Sequence, residues 1–86
     1  MSHDISGEEI SNTLIPTVEQ QIASPETPYV KRHYERLVSE GEDKIEAKRL
    51  IALCLADEIV MLQQEGRPFD EQRYEQMLQF LPILPE

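Results

Sequence analysis

The side chains best suited to chemistry in this 86-residue chain are one thiol, two imidazoles and several adjacent acids. Cys54 lies within Leu53-Cys54-Leu55-Ala56. A nucleophilic thiol needs a lowered pKa, partial exposure and a nearby base or helix N-terminus. An aliphatic setting offers none of these, so Cys54 reads as a small core residue. His33 follows Lys31-Arg32 and has no second His or Cys three or four positions away. That spacing is what places two metal ligands on one helical face. His33 therefore flanks the core or reaches an acid such as Glu26 or Glu40. His3 stands in a loose N-terminal stretch and carries no role.

Acids occur in pairs at Glu8-Glu9, Glu42-Asp43, Asp57-Glu58 and Asp70-Glu71. Paired carboxylates perform general acid–base or two-metal work when they converge inside a cleft. Asp43, Glu46, Asp70 and Glu71 stand instead at expected helix starts, where the macrodipole favours negative charge. Asp57-Glu58 is the exception, because it interrupts the most apolar segment. Either it marks a solvent-facing strip, or it meets bases such as Lys48, Arg49 or Arg36, or it faces a partner. A phosphate-cradling glycine loop, a nucleophile elbow, CxxC and HExxH are all missing from the sequence. Accordingly no catalytic residue, cofactor or metal ligand is assigned, and the expectation is a protein without enzymatic activity. The basic stretch Lys31-Arg32-His33-Tyr34-Glu35-Arg36 carries an acid within it and reads as a mixed helix face.

Four helical segments must position these groups. The first spans about 12–24, with Leu14 or Ile15, Val18 and Ile22 at helical spacing, Asn12 as cap and Pro16 in or near the first turn. A start at Pro16 itself is the alternative. The second, about 28–40, opens with Thr27 as cap and Pro28 at the first position. Its stripe is Val30, Tyr34, Leu37 and Val38, its outer face holds Lys31, Arg32, Glu35 and Arg36, and Gly41 ends it. The third, about 44–65, starts at Asp43 with Glu46 in a capping-box arrangement and stops at Gly66. Its apolar residues surround most of the helix: Ile51, Leu55, Ile59 and Leu62 share one face, and Leu53 and Val60 lie nearly opposite. Such a helix is buried on several sides. The fourth, about 70–81, has Asp70 as cap and a Phe69/Tyr74 hydrophobic staple, and the tail Ile83-Leu84-Pro85 is expected to pack back on the bundle. No strand pattern competes. The fold class is all-α, a small bundle of three to four helices with the third at its centre. Residues 1–11 form a flexible acidic arm and 12–86 a single domain.

Several short motifs fall in a familiar order: Val18-Glu19-Gln20-Gln21-Ile22, Arg36-Leu37, Glu40-Gly41, Glu46-Ala47, Gly66-Arg67-Pro68-Phe69-Asp70 with Arg73-Tyr74, and Leu81-Pro82. Over about residues 11–82 the chain resembles a group of small uncharacterised bacterial helical proteins. In that group the first helix carries His-x-x-x-His and the third opens with His-Glu-x-x-His, a pattern able to hold a metal. Here Ser11 and Ile15 replace the first pair, and Ile45-Glu46-Ala47-Lys48-Arg49 replaces the second motif. Only Glu46 remains. The resemblance implies a retained scaffold from which any metal function has been lost.

Charge and composition exclude other classes. The net charge is −9, and every charged residue before Lys31 is an acid. Nucleic acid and anionic membranes are disfavoured as partners, since both require cations on the protein. One cysteine permits no internal disulfide, the start lacks the features of a secretory signal, and the run Leu50–Ala56 is far short of the roughly 20 residues of a membrane span. A cytoplasmic protein is expected. Its expected function is a non-catalytic protein–protein interaction module that contacts a partner, or a second copy of itself, through Leu53, Asp57, Glu58, Val60 and Met61. Three short helices leave part of the third uncovered, so a homodimer is narrowly favoured over a monomer. The alternative is a metalloprotein or enzyme remnant using Glu46, Asp57, Glu58 and His33.

Overall fold

A computed structural model describes residues 7–84, with side chains from Ser11 onward. Four α-helices follow in order: α1 Gly7–Ala23, α2 Pro28–Ser39, α3 Lys44–Glu65 and α4 Glu71–Phe80. No strand occurs among the described residues, and the expected all-α bundle is what forms.

The ends of α3 and α4 follow local sequence rules closely. The Asp43 carboxylate accepts the Ile45 N–H at 3.1 Å, occupying one of the donors that a helix start leaves open. Gly66 closes α3 in the left-handed region at φ 61°, ψ 38°, where a side chain would be strained. Asp70 caps α4 by accepting the Arg73 N–H at 3.1 Å. Phe69 and Tyr74 meet edge-to-face with ring centroids 5.6 Å apart, which is the predicted staple.

Three local expectations are corrected. First, α1 begins at Gly7, so Asn12 and Pro16 lie inside the helix and neither starts it. Pro16 cannot donate to the Asn12 carbonyl. The helix continues through this break because Ser11, on the turn before, is fully buried and α1 makes the most extensive helix–helix contact of the bundle, with α3. Packing outweighs one lost hydrogen bond. Residues 7–11 of the expected arm are thus helical, and residues 1–6 lie outside the described residues. Second, the Thr27 side chain makes no cap bond to α2. Its hydroxyl donates to the Gln21 carbonyl at 2.9 Å and ties down the end of α1. Third, Glu46 does not close a capping box, because Arg49 holds both its oxygens at 2.8 and 2.7 Å.

The core is built around α3, which touches each of the other helices. Val18 of α1, Tyr29, Val30 and Leu37 of α2, and Tyr74 and Leu78 of α4 pack against Ala47, Leu50, Ile51, Ala52, Cys54 and Leu55. The Tyr74 hydroxyl reaches across to α1 and donates to Gln21 Oε1 at 2.7 Å. A helix apolar on nearly all sides is stable in water only when enclosed. Three neighbours accomplish most of this; Ile45 alone on α3 stays 73% exposed among its large apolar residues.

Truncating the fully buried Ile51 to alanine is expected to lower unfolding free energy by about 2–5 kcal/mol. Ile45→Ala should stay within about 0.5 kcal/mol of the parent. Urea unfolding midpoints of the two variants check the contrast.

Candidate functional site

Glu58 is a charged residue with no solvent exposure, in the middle of an apolar helix. The chain that follows α3 supplies its partners. The left-handed turn at Gly66 folds Arg67 back over the last turns of α3, so that its guanidinium meets both carboxylate oxygens, at 2.7 Å and 3.0 Å. The Asp70 N–H donates to Oε2 at 2.8 Å. From the first turn of α4, Arg73 donates to Oε1 at 2.9 Å and to Asp57 Oδ2 at 2.5 Å. Each oxygen of Glu58 therefore accepts two hydrogen bonds, which uses the roughly four lone-pair positions a carboxylate offers. The Arg67 hydrogen bonds, with those from Asp70 and Arg73, hold its pKa down to about 2 against the opposing effect of burial. The group is permanently ionised near neutral pH and has no lone pair left for a metal or a substrate proton.

The bases that meet Asp57-Glu58 are thus Arg67 and Arg73, not Lys48, Arg49 or Arg36 as the sequence suggested. Glu58 also cannot face a partner, because its own chain encloses it. Asp57 is half-buried against Arg73, and Leu53, Val60 and Met61 are half-buried on α3. The helical spacing identified the acids, but it gave no sign of arginines nine and fifteen residues further on.

The remaining chemistry-bearing groups lie apart from this cluster. Lys48 bridges to Glu19 of α1 at 2.9 Å and sits 5.9 Å from the centre of the Tyr34 ring. Arg36 was expected on the outer face of α2, yet it turns inward. It donates to the Leu78 and Leu81 carbonyls at 2.9 and 3.1 Å, to Glu40 at 2.9 Å and to His33 Nδ1 at 3.4 Å. The Leu78 carbonyl, which also accepts the Leu81 N–H, and the Leu81 carbonyl just past α4 are held in this way. His33 is buried, and its Nε2 has no hydrogen-bond partner. Burial, then Arg36 and Arg32, push its pKa below the ordinary value, so the ring stays neutral. Burial likewise pushes the Cys54 thiol up to about 12, and no thiolate forms. Glu46, Asp57, Glu58 and His33 are each held by an arginine. Glu46 and Asp57 stand eleven positions apart on one helix, about 16 Å. Among the described residues, no three His, Cys, Asp or Glu side chains gather in a way that could hold a metal ion.

From Gln76 to Leu84 no residue is charged, in a chain with 29% charged residues. The expectation that Ile83-Leu84-Pro85 packs back is not met at its described residues: Ile83 is 71% and Leu84 39% exposed, as is Phe80 before them at 67%, while Leu81 of the expected α4 stripe is buried. Pro85 lies outside the described residues. Arg36 fixes the end of α4 through the two carbonyls, and the chain then leaves the core. With Met77 and Leu84, these residues line a groove of about 130 Å³. The sequence runs without charge from Gln76 to Pro85, as it also does from Ile10 to Val18, and only the fold shows which apolar residues stay outside.

Both titratable groups carry a pH signature. The Glu58 pKa falls from 4.5 to about 2 on folding. Its stabilisation, about 3 kcal/mol, is complete above pH 4.5 and lost as pH falls through about 2. Glu58→Gln should lower stability at pH 7 by that amount and flatten the acid limb of a stability–pH curve. His33 acts from its unfolded value of 6.5 downward: the unfolded chain takes up the proton first, so stability drops as pH falls below 6.5. His33→Leu should remove that part of the slope. Urea unfolding at a series of pH values measures both.

Comparison with known proteins agrees with the span of motifs noted in the sequence. A profile described as a domain of unknown function, DUF1841, matches residues 13–80, from within α1 to the last residue of α4. No curated protein and no solved structure matches the chain. The matched segment contains Glu58, the Gly66-Arg67-Pro68-Phe69-Asp70 turn and Arg73 that fasten α4 to α3, together with Arg36, and on this match the chain belongs to the DUF1841 family of domains of unknown function.

Proposed function

We propose that this protein is a non-catalytic interaction module. The observation that carries the proposal is the apolar patch at the C-terminal end, where Phe80 and Ile83 stand 67% and 71% exposed on an otherwise strongly acidic chain. Exposed apolar groups clustered in one place are a feature of contact sites, whereas single ones scattered over a surface are not. The locked state of the polar groups supports the same view. A general acid or base must reach a reacting atom and exchange a proton near working pH. Glu58 is saturated by donors, Glu46 and Asp57 are engaged by arginines, and Cys54 is a buried thiol.

The remnant of a metal enzyme gains no support from these positions. Ser11 is buried, Ile45 points largely into solvent, and Glu46 is engaged by Arg49. In the proposal, the bacterial group resembled by the sequence contributes a scaffold, and its histidine pairs have no counterpart here. A free, buried thiol suits a reducing cytoplasm. No helix among the described residues is long and apolar enough to cross a membrane.

Immobilised chain and its Phe80→Glu variant, incubated with lysate of the source cell, test the module. A specific protein retained by the parent and by a Gln64→Glu control, but reduced at least tenfold on Phe80→Glu, is expected. Equal retention by all three baits, or by none when the chain also stays monomeric, overturns the assignment.

A further inference from the structure

We infer that the groove formed by Met77, Phe80, Ile83 and Leu84 is occupied by a second copy of this chain, with Phe80 of each copy seated in the groove of the other. The inference rests on the interaction reading above and names its occupant.

Shape supports a reciprocal contact. The groove measures about 130 Å³, close to the roughly 150 Å³ of an apolar cavity that takes one benzene ring. One aromatic side chain is the right size for it. The same surface presents such a side chain, since Phe80 on its rim is 67% exposed. A face that carries both knob and hole is self-complementary, as a two-fold contact requires.

Charge supports it as well. A charged partner would find no ion to pair with between Gln76 and Leu84. Two copies each at −9 repel one another, and the segment Gln76–Leu84 brings no acid of its own into the contact. Two acids are already engaged by bases: Glu75 lies 3.9 Å from Arg32, and Glu40 is 2.9 Å from Arg36.

The face is also held in place before binding. Arg36 grips the Leu78 and Leu81 carbonyls, Leu78 and Leu81 are buried, and the Ile83 N–H donates to the Phe80 carbonyl at 2.9 Å. A backbone already fixed has no further ordering to undergo on association, so the entropic cost falls on the side chains alone. Four side chains line the groove, too few to reach the ~800 Å² per partner of a standard interface. The resulting dimer is therefore weak and reversible.

Sedimentation velocity of the full chain tests this between about 10 µM and about 1 mM. The mass should rise from 10.0 kDa toward twice that value with concentration. The association should tighten when salt is raised from about 20 to about 500 mM, because screening removes the mutual repulsion. Phe80→Glu should weaken association at least tenfold, with circular dichroism and urea midpoint unchanged, since the side chain lies largely outside the core. A parent that stays at 10.0 kDa throughout, or a Phe80→Glu variant that dimerises like the parent, overturns the inference. If the parent is monomeric yet Phe80-dependent capture from lysate persists, the groove holds a different protein, and the interaction module stands without its dimer.

Discussion

A carboxylate placed inside an apolar helix is tolerable only if donors surround it, and Glu58 makes the architecture depend on meeting that demand. Removing an ionised group from water without compensation costs several kcal/mol. Four hydrogen bonds from three residues offset the loss here. Supplying them dictates where the chain goes after α3. It must reverse at once, which Gly66 allows through its left-handed conformation, and it must bring Arg67, the Asp70 N–H and Arg73 onto one point. The α3–α4 connection is therefore a shaped element that sets the position of α4.

Arg36 does the corresponding work at the other end of α4. One guanidinium serves the Leu78 carbonyl of α4, the Leu81 carbonyl just past it, a glutamate and a neutral histidine. The planar fork of arginine suits such multiple donation in a way lysine does not. Between these two arginine-centred clamps, Tyr74 contacts Phe69, Tyr29 and Gln21. The shortest helix is thus held at its start, middle and end. That rigidity is what lets Phe80 and Ile83 project from a defined backbone, and it links the polar interior to the apolar surface on which the functional proposal stands.

Much of the fold was legible because it depends on neighbours in sequence. Asp43, Gly66, Asp70 and the Phe69/Tyr74 staple act within one turn of a helix end, and their residue types state their roles. The start of α1 was not legible, because burial of Ser11 against α3 overrides the local signal of Pro16. The candidate site was less readable still. Asp57-Glu58 stood out as an acidic pair in an apolar helix, but its consequence depended on arginines whose reach is decided by the turn at Gly66. Arg36 bonds to carbonyls 42 and 45 residues away, a separation at which spacing carries no information.

The sequence by itself determined the all-α class, the limits of α3 and α4, the inert setting of Cys54 and the acidic balance, since these follow from composition, periodicity and capping chemistry. Tertiary structure alone decided that Glu58 is enclosed, that Arg36 turns inward, and that Phe80 and Ile83 rather than Leu53 and Val60 are the more exposed apolar side chains. The physical reason is that burial and ion pairing are properties of three-dimensional neighbours. A helical wheel gives the direction of a side chain about its own axis, but only the packed bundle determines what stands opposite.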